Sequence, residues 1–237
     1  MSNNEIVENE EQAEYIEQEE NRAPSGVSLF VDKIKNWLNG QNKLAVYGIG
    51  GVIALILGYG GYKYFYQMPR ETEGLAAIYN IQNDFENDSF KLVIKNAPKM
   101  ADKYSGTKSG ELCEYMTGMS YMYTGDFKKA LEWLEKVDFD DEIMSVMAIG
   151  NIGDCYIELK DLDNGLKYYQ KAVSKAKADY TAVHYLMKSA KVYEKKNDWE
   201  KALSQYETVK SKYSEDESLV MDIDKYIARA QAKLDKY

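Results

Sequence analysis

The amino-acid sequence predicts an all-α protein: a single N-terminal transmembrane helix, an α-solenoid of helical hairpins, and a C-terminal capping helix. Three observations predict this fold. Residues 44–62 contain no charged side chain. Residues 111–213 repeat the same seven columns of residue types at offsets of 35 and 37 residues, which is typical of stacked helical units. The region from about residue 69 onward has helical periodicity and very little of the alternation that indicates strands.

Residues 1–26 form the first segment, which we predict to be an acidic disordered tail. Residues 1–23 contain eight glutamates and one arginine, and so carry most of the net charge of −9. A segment this poor in apolar side chains cannot bury enough surface to offset the entropy of ordering. The tail is either a solvated extension or an acidic ligand for a basic partner.

Residues 43–67 form the predicted transmembrane helix. The run from Leu44 to Tyr62 would extend about 28 Å as an α-helix, close to the hydrocarbon thickness of a bilayer. Aromatic residues flank it on both sides, as in interfacial belts. Residues 27–39 carry apolar side chains at helical spacing and predict a short interfacial helix. A buried core helix of a soluble protein is the alternative for the apolar run.

Within this span, three small residues recur at every fourth position: Gly50, Ala54 and Gly58. Such a smooth face allows another membrane helix to approach closely. We therefore predict that it packs against a membrane partner or a second copy, although a glycine-rich span can contain the spacing by chance. Three lysines before the span, against two basic residues after it, favour a cytoplasmic N-terminus.

The repeated columns define a unit of two helices joined by a turn. Small residues lie where the first helix must approach its neighbour: Gly118, Gly153 and Ala190. Aspartates open the second helix, where a carboxylate can cap free N–H groups: Asp126, Asp161 and Asp198. Large residues then fill the space between the two helices: Leu134, Tyr169 and Tyr206. No unit can bury its apolar face alone, so the units are expected to stack.

These columns resemble the tetratricopeptide repeat family, as three units across residues 111–213. The resemblance implies stacked hairpins whose first helices line the concave side of a superhelix. Residues 70–110 fit the columns less well and are predicted to be leading helices and a degenerate repeat. Residues 215–237 show one apolar face and a polar outer side, and are predicted to be the capping helix.

No catalytic constellation is apparent, and we expect a non-enzymatic protein without cofactor, metal or small-molecule substrate. One histidine and two cysteines exclude histidine pairs and four-cysteine zinc sites. The acidic isoelectric point of about 4.9 argues against a nucleic-acid partner. Cys113 and Cys155 occupy non-equivalent positions in their units, so we expect two buried thiols rather than a disulfide.

The predicted functional site is a protein-binding groove on the first helices, opposite the packing columns. Its residues come from all three units: Tyr115, Met119, Met122, Tyr123, Met147, Asp154, Ile157, Glu158, His184, Met187, Lys191, Glu194 and Lys195. Flexible methionines beside rigid tyrosines suit adaptable binding of extended or helical protein segments. Some of these residues would instead belong to the core if the leading helices cover them.

The order of tail, single span and helical repeats also resembles the bitopic ancillary subunits of the bacterial SecYEG translocon. The segment Lys103–Thr107 before the first full unit adds to this resemblance. It implies a single-pass inner-membrane protein with a cytoplasmic N-terminus and periplasmic repeats that bind translocating chains or chaperones. An envelope scaffold or assembly factor of another secretion or outer-membrane machine, and a recruiting subunit of a membrane enzyme, are the alternatives.

Overall fold

The structure, a computed structural model, describes residues 26–40 and 43–235, and all of the regular structure in these ranges is helical. The acidic tail predicted at the N-terminus lies outside the described residues, apart from Gly26. The chain divides into two units, one ending at Tyr62 and the other beginning at Lys63.

The first unit contains the helices α1 (Gly26–Asn39) and α2 (Lys43–Tyr62). All residues from 47 to 60 on α2 are exposed. A Cβ atom placed on Gly50 or Gly58 would meet no other atom within 4 Å, so these predicted helix-packing positions face open space. Residues 63–67, predicted to belong to the same α-helix, instead form a π-helix at the start of the second unit. Across the described ranges, no helix has both the length and the apolar character that crossing a membrane requires.

After the π-helix, the second unit continues with a leading hairpin whose first helix is broken in two. Helices α3 (Met68–Ala77) and α4 (Tyr79–Glu86) are separated by Ile78, whose side chain is fully buried. Helix α5 (Phe90–Lys103) forms the second half of the hairpin. Val93 and other apolar residues of these helices pack together in one core cluster.

Three full hairpins and two terminal helices follow. Their bounds are α6 (Lys108–Tyr123), α7 (Phe127–Leu134), α8 (Glu142–Glu158), α9 (Leu162–Lys175), α10 (Asp179–Lys195), α11 (Trp199–Lys212), α12 (Glu217–Val220) and α13 (Ile223–Leu234). The prediction of an all-α solenoid of stacked hairpins is confirmed for this unit. Helix α13 packs on α11, where Tyr226 stacks on Tyr206 with ring centroids 5.3 Å apart.

The repeated small residues lie where the two helices of a hairpin meet, as predicted. A Cβ on Gly118 would lie 2.7 Å from Cγ of Leu134, and one on Gly153 would lie 2.7 Å from Cδ1 of Tyr169. Neither position has room for a methyl group without displacing its neighbour. The column of small residues therefore sets how closely the paired helices approach.

The repeated aspartates cap the second helices, also as predicted. The carboxylates of Asp126, Asp161 and Asp198 accept hydrogen bonds from backbone N–H groups three residues later, at 3.3, 3.2 and 3.2 Å. Each full hairpin therefore begins its second helix in the same way. Ser89, at the corresponding position of the leading hairpin, makes no such side-chain bond.

The residue before each of these positions adopts a left-handed backbone conformation. The φ angles are 55° at Asp88, 83° at Gly125, 67° at Lys160 and 59° at Asn197. These residues are spaced 37, 35 and 37 apart in the sequence. The leading hairpin thus shares the turn geometry of the full repeats even though its side chains match the columns poorly.

Candidate functional site

The first helices of the three full hairpins, α6, α8 and α10, share one side of the solenoid. On α8 the residues Ile143 and Met147 are 38% and 41% exposed. On α10 the equivalent positions, 37 residues later, are Tyr180, which is 52% exposed, and His184, also exposed. Equivalent positions of stacked repeats face the same way. These four residues form what we call the apolar stripe.

His184 adds to the apolar character of the stripe despite its titratable ring. Although His184 is exposed, desolvation of its ring by the surrounding protein, together with the nearby Lys188 and Lys191 cations, lowers its pKa below the ordinary value. The ring packs edge-on against Tyr185, with centroids 4.9 Å apart. The imidazole is therefore neutral at neutral pH, and the stripe carries no charge of its own.

A polar contact links α6 to α8 beneath this surface. The amide Nδ2 of Asn151 lies 3.0 Å from the hydroxyl of Tyr115 and 3.1 Å from Sδ of Met119. Tyr115 is only 8% exposed and packs edge-on against Phe139, and burial raises the pKa of its hydroxyl. Tyr115, predicted to line the groove, therefore lies in the core beneath it, while Met119 is half-buried at its edge.

An ion pair links α8 to α10. The ammonium of Lys188 lies 2.7 and 2.6 Å from the two carboxylate oxygens of Asp154, and the hydroxyl of Tyr169 donates to the same carboxylate at 2.5 Å. Burial and the charge of Asp154 raise the pKa of Tyr169. Asp154 therefore acts within the protein by joining two repeats, and the sequence did not indicate this role.

Glu194 occupies a comparable position near the end of α10. It accepts a hydrogen bond from the hydroxyl of Tyr206 at 3.0 Å and pairs with Arg229 of α13. Its neighbours Lys191 and Lys195 are exposed, as is Glu158 at the end of α8. The predicted groove is therefore apolar near the start of these helices and charged near their ends.

The remaining predicted groove residues are partly absorbed into packing. Ile157 fills the space over Gly165, and both Ile157 and Met187 pack against the largest core cluster. Met122 packs against the cluster that contains Leu134. Tyr123 is 60% exposed, but its ring stacks on Phe90 of the leading hairpin at 4.6 Å. These residues therefore contribute to packing within the protein, and only part of their surface is open to a ligand.

A groove that the sequence analysis did not assign lies between the leading hairpin and the first full hairpin. It has a volume of about 820 Å³ and is lined by one side of α3, the start of α6 and the loop after α7. Leu75 of α3 lies 37 residues before Leu112 and 72 before Met147, so it occupies the stripe position of its own hairpin. The offset of 37 residues between the leading hairpin and the first full hairpin, seen at Asp88 and Gly125, also places Leu75 at this position.

The two thiols lie in the core, as expected. Cys113 and Cys155 are buried and unpaired, and burial raises the pKa of each to about 12. Both therefore remain protonated at neutral pH, without the thiolate character that reactive cysteines need. In the described part of the chain, no group of three or more His, Cys, Asp or Glu side chains is arranged to hold a metal ion.

Comparison with known families identifies the class of this protein. The sequence profile of the tetratricopeptide repeat-like domain matches residues 35–179, more than half of the chain, and that of the tetratricopeptide repeat matches residues 185–216. The chain therefore belongs to the tetratricopeptide repeat-like domain family, as the columns indicated. No curated protein sequence matches it.

Two solved structures show the same fold. The crystal structure of MamA protein is 19% identical, with a TM-score of 0.51, and the match covers 69% of this chain and 92% of MamA. The crystal structure of a Podosopora anserina chain described as a kinesin light chain, with nearly identical TPR-like repeats, is 15% identical with a TM-score of 0.52. That match covers 66% of this chain and 84% of the other. At these identities the likeness concerns the fold alone.

Proposed function

We propose that this chain is a protein-interaction module that binds extended or helical protein segments along the first helices of its hairpins. The apolar stripe is the observation that carries the proposal. Ile143, Met147 and Tyr180 expose apolar surface at equivalent positions of adjacent repeats. The polar links beneath them, from Asn151 and Asp154, hold the three first helices in place, so a ligand meets a preorganised surface.

Substitution within the stripe tests this function. The double variant Met147→Glu with Tyr180→Glu should weaken binding to an array of extended and helix-forming peptides by about tenfold, since central apolar anchors dominate interface energies. Both side chains are at least 41% exposed, so helicity measured by circular dichroism should not change. Unchanged peptide binding by this variant would contradict the proposal.

A control that adds a single negative charge away from the stripe lies on the second helix of the leading hairpin. Leu92 is 46% exposed on α5, away from the stripe, and Leu92→Glu should leave peptide binding as it is in the parent. Equal loss in both variants would mean that added negative charge, rather than the stripe, causes the effect.

The finer proposal concerns where the module acts. We propose that residues 43–67 anchor it in the bacterial inner membrane, with the N-terminus cytoplasmic and the repeats periplasmic, as an accessory subunit of a SecYEG-type translocon. The support is the uncharged run from Leu44 to Tyr62, its aromatic flanks and the resemblance in the order of segments. A tether of this kind would raise the effective concentration of the module near emerging chains.

Extraction and labelling test the finer proposal. The chain should stay in the membrane pellet after alkaline carbonate treatment, and a C-terminal tag should react with a membrane-impermeant reagent in intact spheroplasts. SecY should copurify in mild detergent, and Gly50→Leu with Ala54→Leu and Gly58→Leu should reduce this copurification. A stable complex that lacks SecY would favour the scaffold or the recruiting subunit instead.

A further inference from the structure

The groove between the leading hairpin and the first full hairpin has acidic walls. Three of its carboxylates come from the helices, namely Glu71 of α3 and Glu111 and Glu114 of α6, and two from the loop after α7, namely Asp138 and Asp140. Lys63, Lys108 and Lys136 also line it. The groove therefore carries a net negative charge.

The lysines of the groove do not neutralise these carboxylates by direct contact. Within the described residues, none of the five carboxylates lies within 4.0 Å of a basic side chain. The ammonium of Lys136 instead lies over the ring of Trp133, 3.7 Å from its centroid. The groove thus holds several carboxylates without a bound counter-charge.

In the described part of the chain, two of the carboxylates accept a hydrogen bond through one oxygen only. Oε2 of Glu71 accepts the backbone N–H of Lys108 at 2.9 Å, and Oε1 of Glu111 accepts the backbone N–H of Asp138 at 2.8 Å. Oε1 of Glu71 is buried and has no hydrogen-bond partner among the described residues. A buried acceptor without a donor is costly, and a cation held near this carboxylate would offset part of that cost.

The partial burial of two of the carboxyls also favours a cationic ligand. Glu111 and Glu114 are partly buried, and burial raises the pKa of both carboxyls above the ordinary value. A cation placed nearby would offset this penalty, because an opposite charge favours the ionised carboxylate. A neutral or anionic ligand would leave the penalty unchanged or increase it.

The groove also has an apolar wall. Met68 and Leu75 on α3 line it and are 55% and 54% exposed. They lie on the exposed side of the leading hairpin, and Leu75 continues the stripe position of Met147. Met68 and Leu75 therefore offer apolar surface beside the carboxylates of the groove.

We propose that this groove binds a lysine or arginine side chain of a protein segment, while a neighbouring apolar side chain of that segment packs on Met68 and Leu75. The occupant is thus an amphipathic basic segment, in extended or helical form. This inference rests on the proposed function, since it names the class of segment that the first helices receive. Carboxylates in a partly buried groove also disfavour acidic segments, which gives the module selectivity.

Three fluorescent peptides test the inference on the full chain in detergent: alternating leucine and lysine, alternating leucine and glutamate, and alternating serine and lysine. The leucine–lysine peptide should bind most tightly in fluorescence anisotropy, and its affinity should fall as salt rises. The leucine–glutamate peptide should bind at least about tenfold more weakly, because it places like charges together. Equal binding of these two peptides would overturn the inference.

Variants in the groove show where the lysine side chains bind. Glu114→Gln with Asp140→Asn should weaken the leucine–lysine peptide by about tenfold and flatten its salt dependence, as expected when two partly exposed ion pairs are lost. The control pair Glu200→Gln with Glu207→Gln removes the same charge from exposed positions on α11. Equal weakening by the control pair would show a general charge effect and refute the groove as the site.

The same titrations separate this inference from the proposed function. If the leucine–lysine peptide is insensitive to Glu114→Gln with Asp140→Asn but is lost in Met147→Glu with Tyr180→Glu, the stripe binds segments and the basic specificity is wrong. If neither pair of substitutions weakens any peptide, both proposals fail. Leu75→Ser should weaken the leucine–lysine peptide but leave the serine–lysine peptide unchanged.

Discussion

The second and third repeats bury the same tyrosine but hold its hydroxyl in different ways. In the second repeat Tyr169 donates to Asp154, and in the third Tyr206 donates to Glu194. With the offset of 37 residues, Glu194 corresponds to Ile157, one helical turn beyond Asp154. The position of the ring is therefore set by packing between the two helices of the hairpin. The carboxylate that accepts the hydrogen bond from its hydroxyl can lie on either of two successive turns of the first helix.

Both carboxylates also join their repeat to the next element. Asp154 pairs with Lys188 of the third repeat, and Glu194 pairs with Arg229 of the terminal helix α13. The tyrosine links the two helices of one hairpin, and the cation links that hairpin to its neighbour. A solenoid is stabilised by just these two kinds of contact, within units and between them.

Removing the buried tyrosine ring should have the largest effect on stability. Tyr206 is fully buried, so Tyr206→Ala should lower the free energy of unfolding by about 3–5 kcal/mol, through lost burial and a cavity. Tyr206→Phe keeps the ring and should cost only about 1 kcal/mol. Urea denaturation followed by circular dichroism measures both. Similar losses in the two variants would mean that the hydroxyl, rather than packing, positions this residue.

Adding a methyl group to the small-residue column should have the next largest effect. The Cβ of Gly153→Ala would lie 2.7 Å from Tyr169, and such overpacking should cost about 1–3 kcal/mol despite the better helix propensity of alanine. Ala190 already carries this methyl group in the third repeat, fully buried. The same urea titration should show a loss for Gly153→Ala, and a gain in stability would contradict the proposed packing.

Loss of a helix cap should have a smaller effect that depends on pH. Asp198→Ala should lower the free energy of unfolding by about 1 kcal/mol at neutral pH. The hydrogen bond with Lys201 lowers the pKa of Asp198 below its ordinary value of 3.8. The stabilisation is therefore complete above the ordinary pKa and is lost as the pH falls through the lower, folded value. Denaturation at pH 7 and at pH 2 should show the variant and the parent converging at the acidic end.

Substitutions at the left-handed residue before the cap should change stability least. The sign of the change should depend on which residue is replaced. Lys160 has φ of 67° and Gly125 has φ of 83°, a region that costs an ordinary L-residue about 1–2 kcal/mol. Lys160→Gly should therefore raise the free energy of unfolding by about 0.5 kcal/mol, after the flexibility of glycine is subtracted, and so raise the melting temperature slightly. Gly125→Ala should lower it, and equal signs would show that the backbone conformation is not the cause.

The sequence predicted the contacts that repeat and missed those that do not. The columns identified the small residues, the aspartate caps and the buried tyrosines, because each reflects a constraint that recurs in every hairpin. They did not predict the break at Ile78 or the use of Asp154 in an ion pair between repeats. Such features depend on a single neighbour, and one sequence offers no second instance against which to recognise them.

The candidate surface shows the same division. Met147 and His184 were predicted for the groove and lie on the stripe, but Ile143 and Tyr180 beside them were not predicted. Tyr115 was predicted for the groove and lies in the core. Ile143 and Tyr180 lie one helical turn before Met147 and His184 on the same face. Tyr115 is covered by Phe139 from the loop after α7, a contact that helical periodicity alone does not predict.

The amino-acid sequence by itself determined the helical hairpin, its turn and the family of this protein, because local periodicity, capping and close approach of two adjacent helices act over fewer than forty residues. Only the tertiary structure decided which side of each first helix is covered and where the acidic groove opens. Those features arise where α3, the start of α6 and the loop after α7 meet. The angle at which successive hairpins stack brings these segments together, and that angle is set by the packing of many side chains at once.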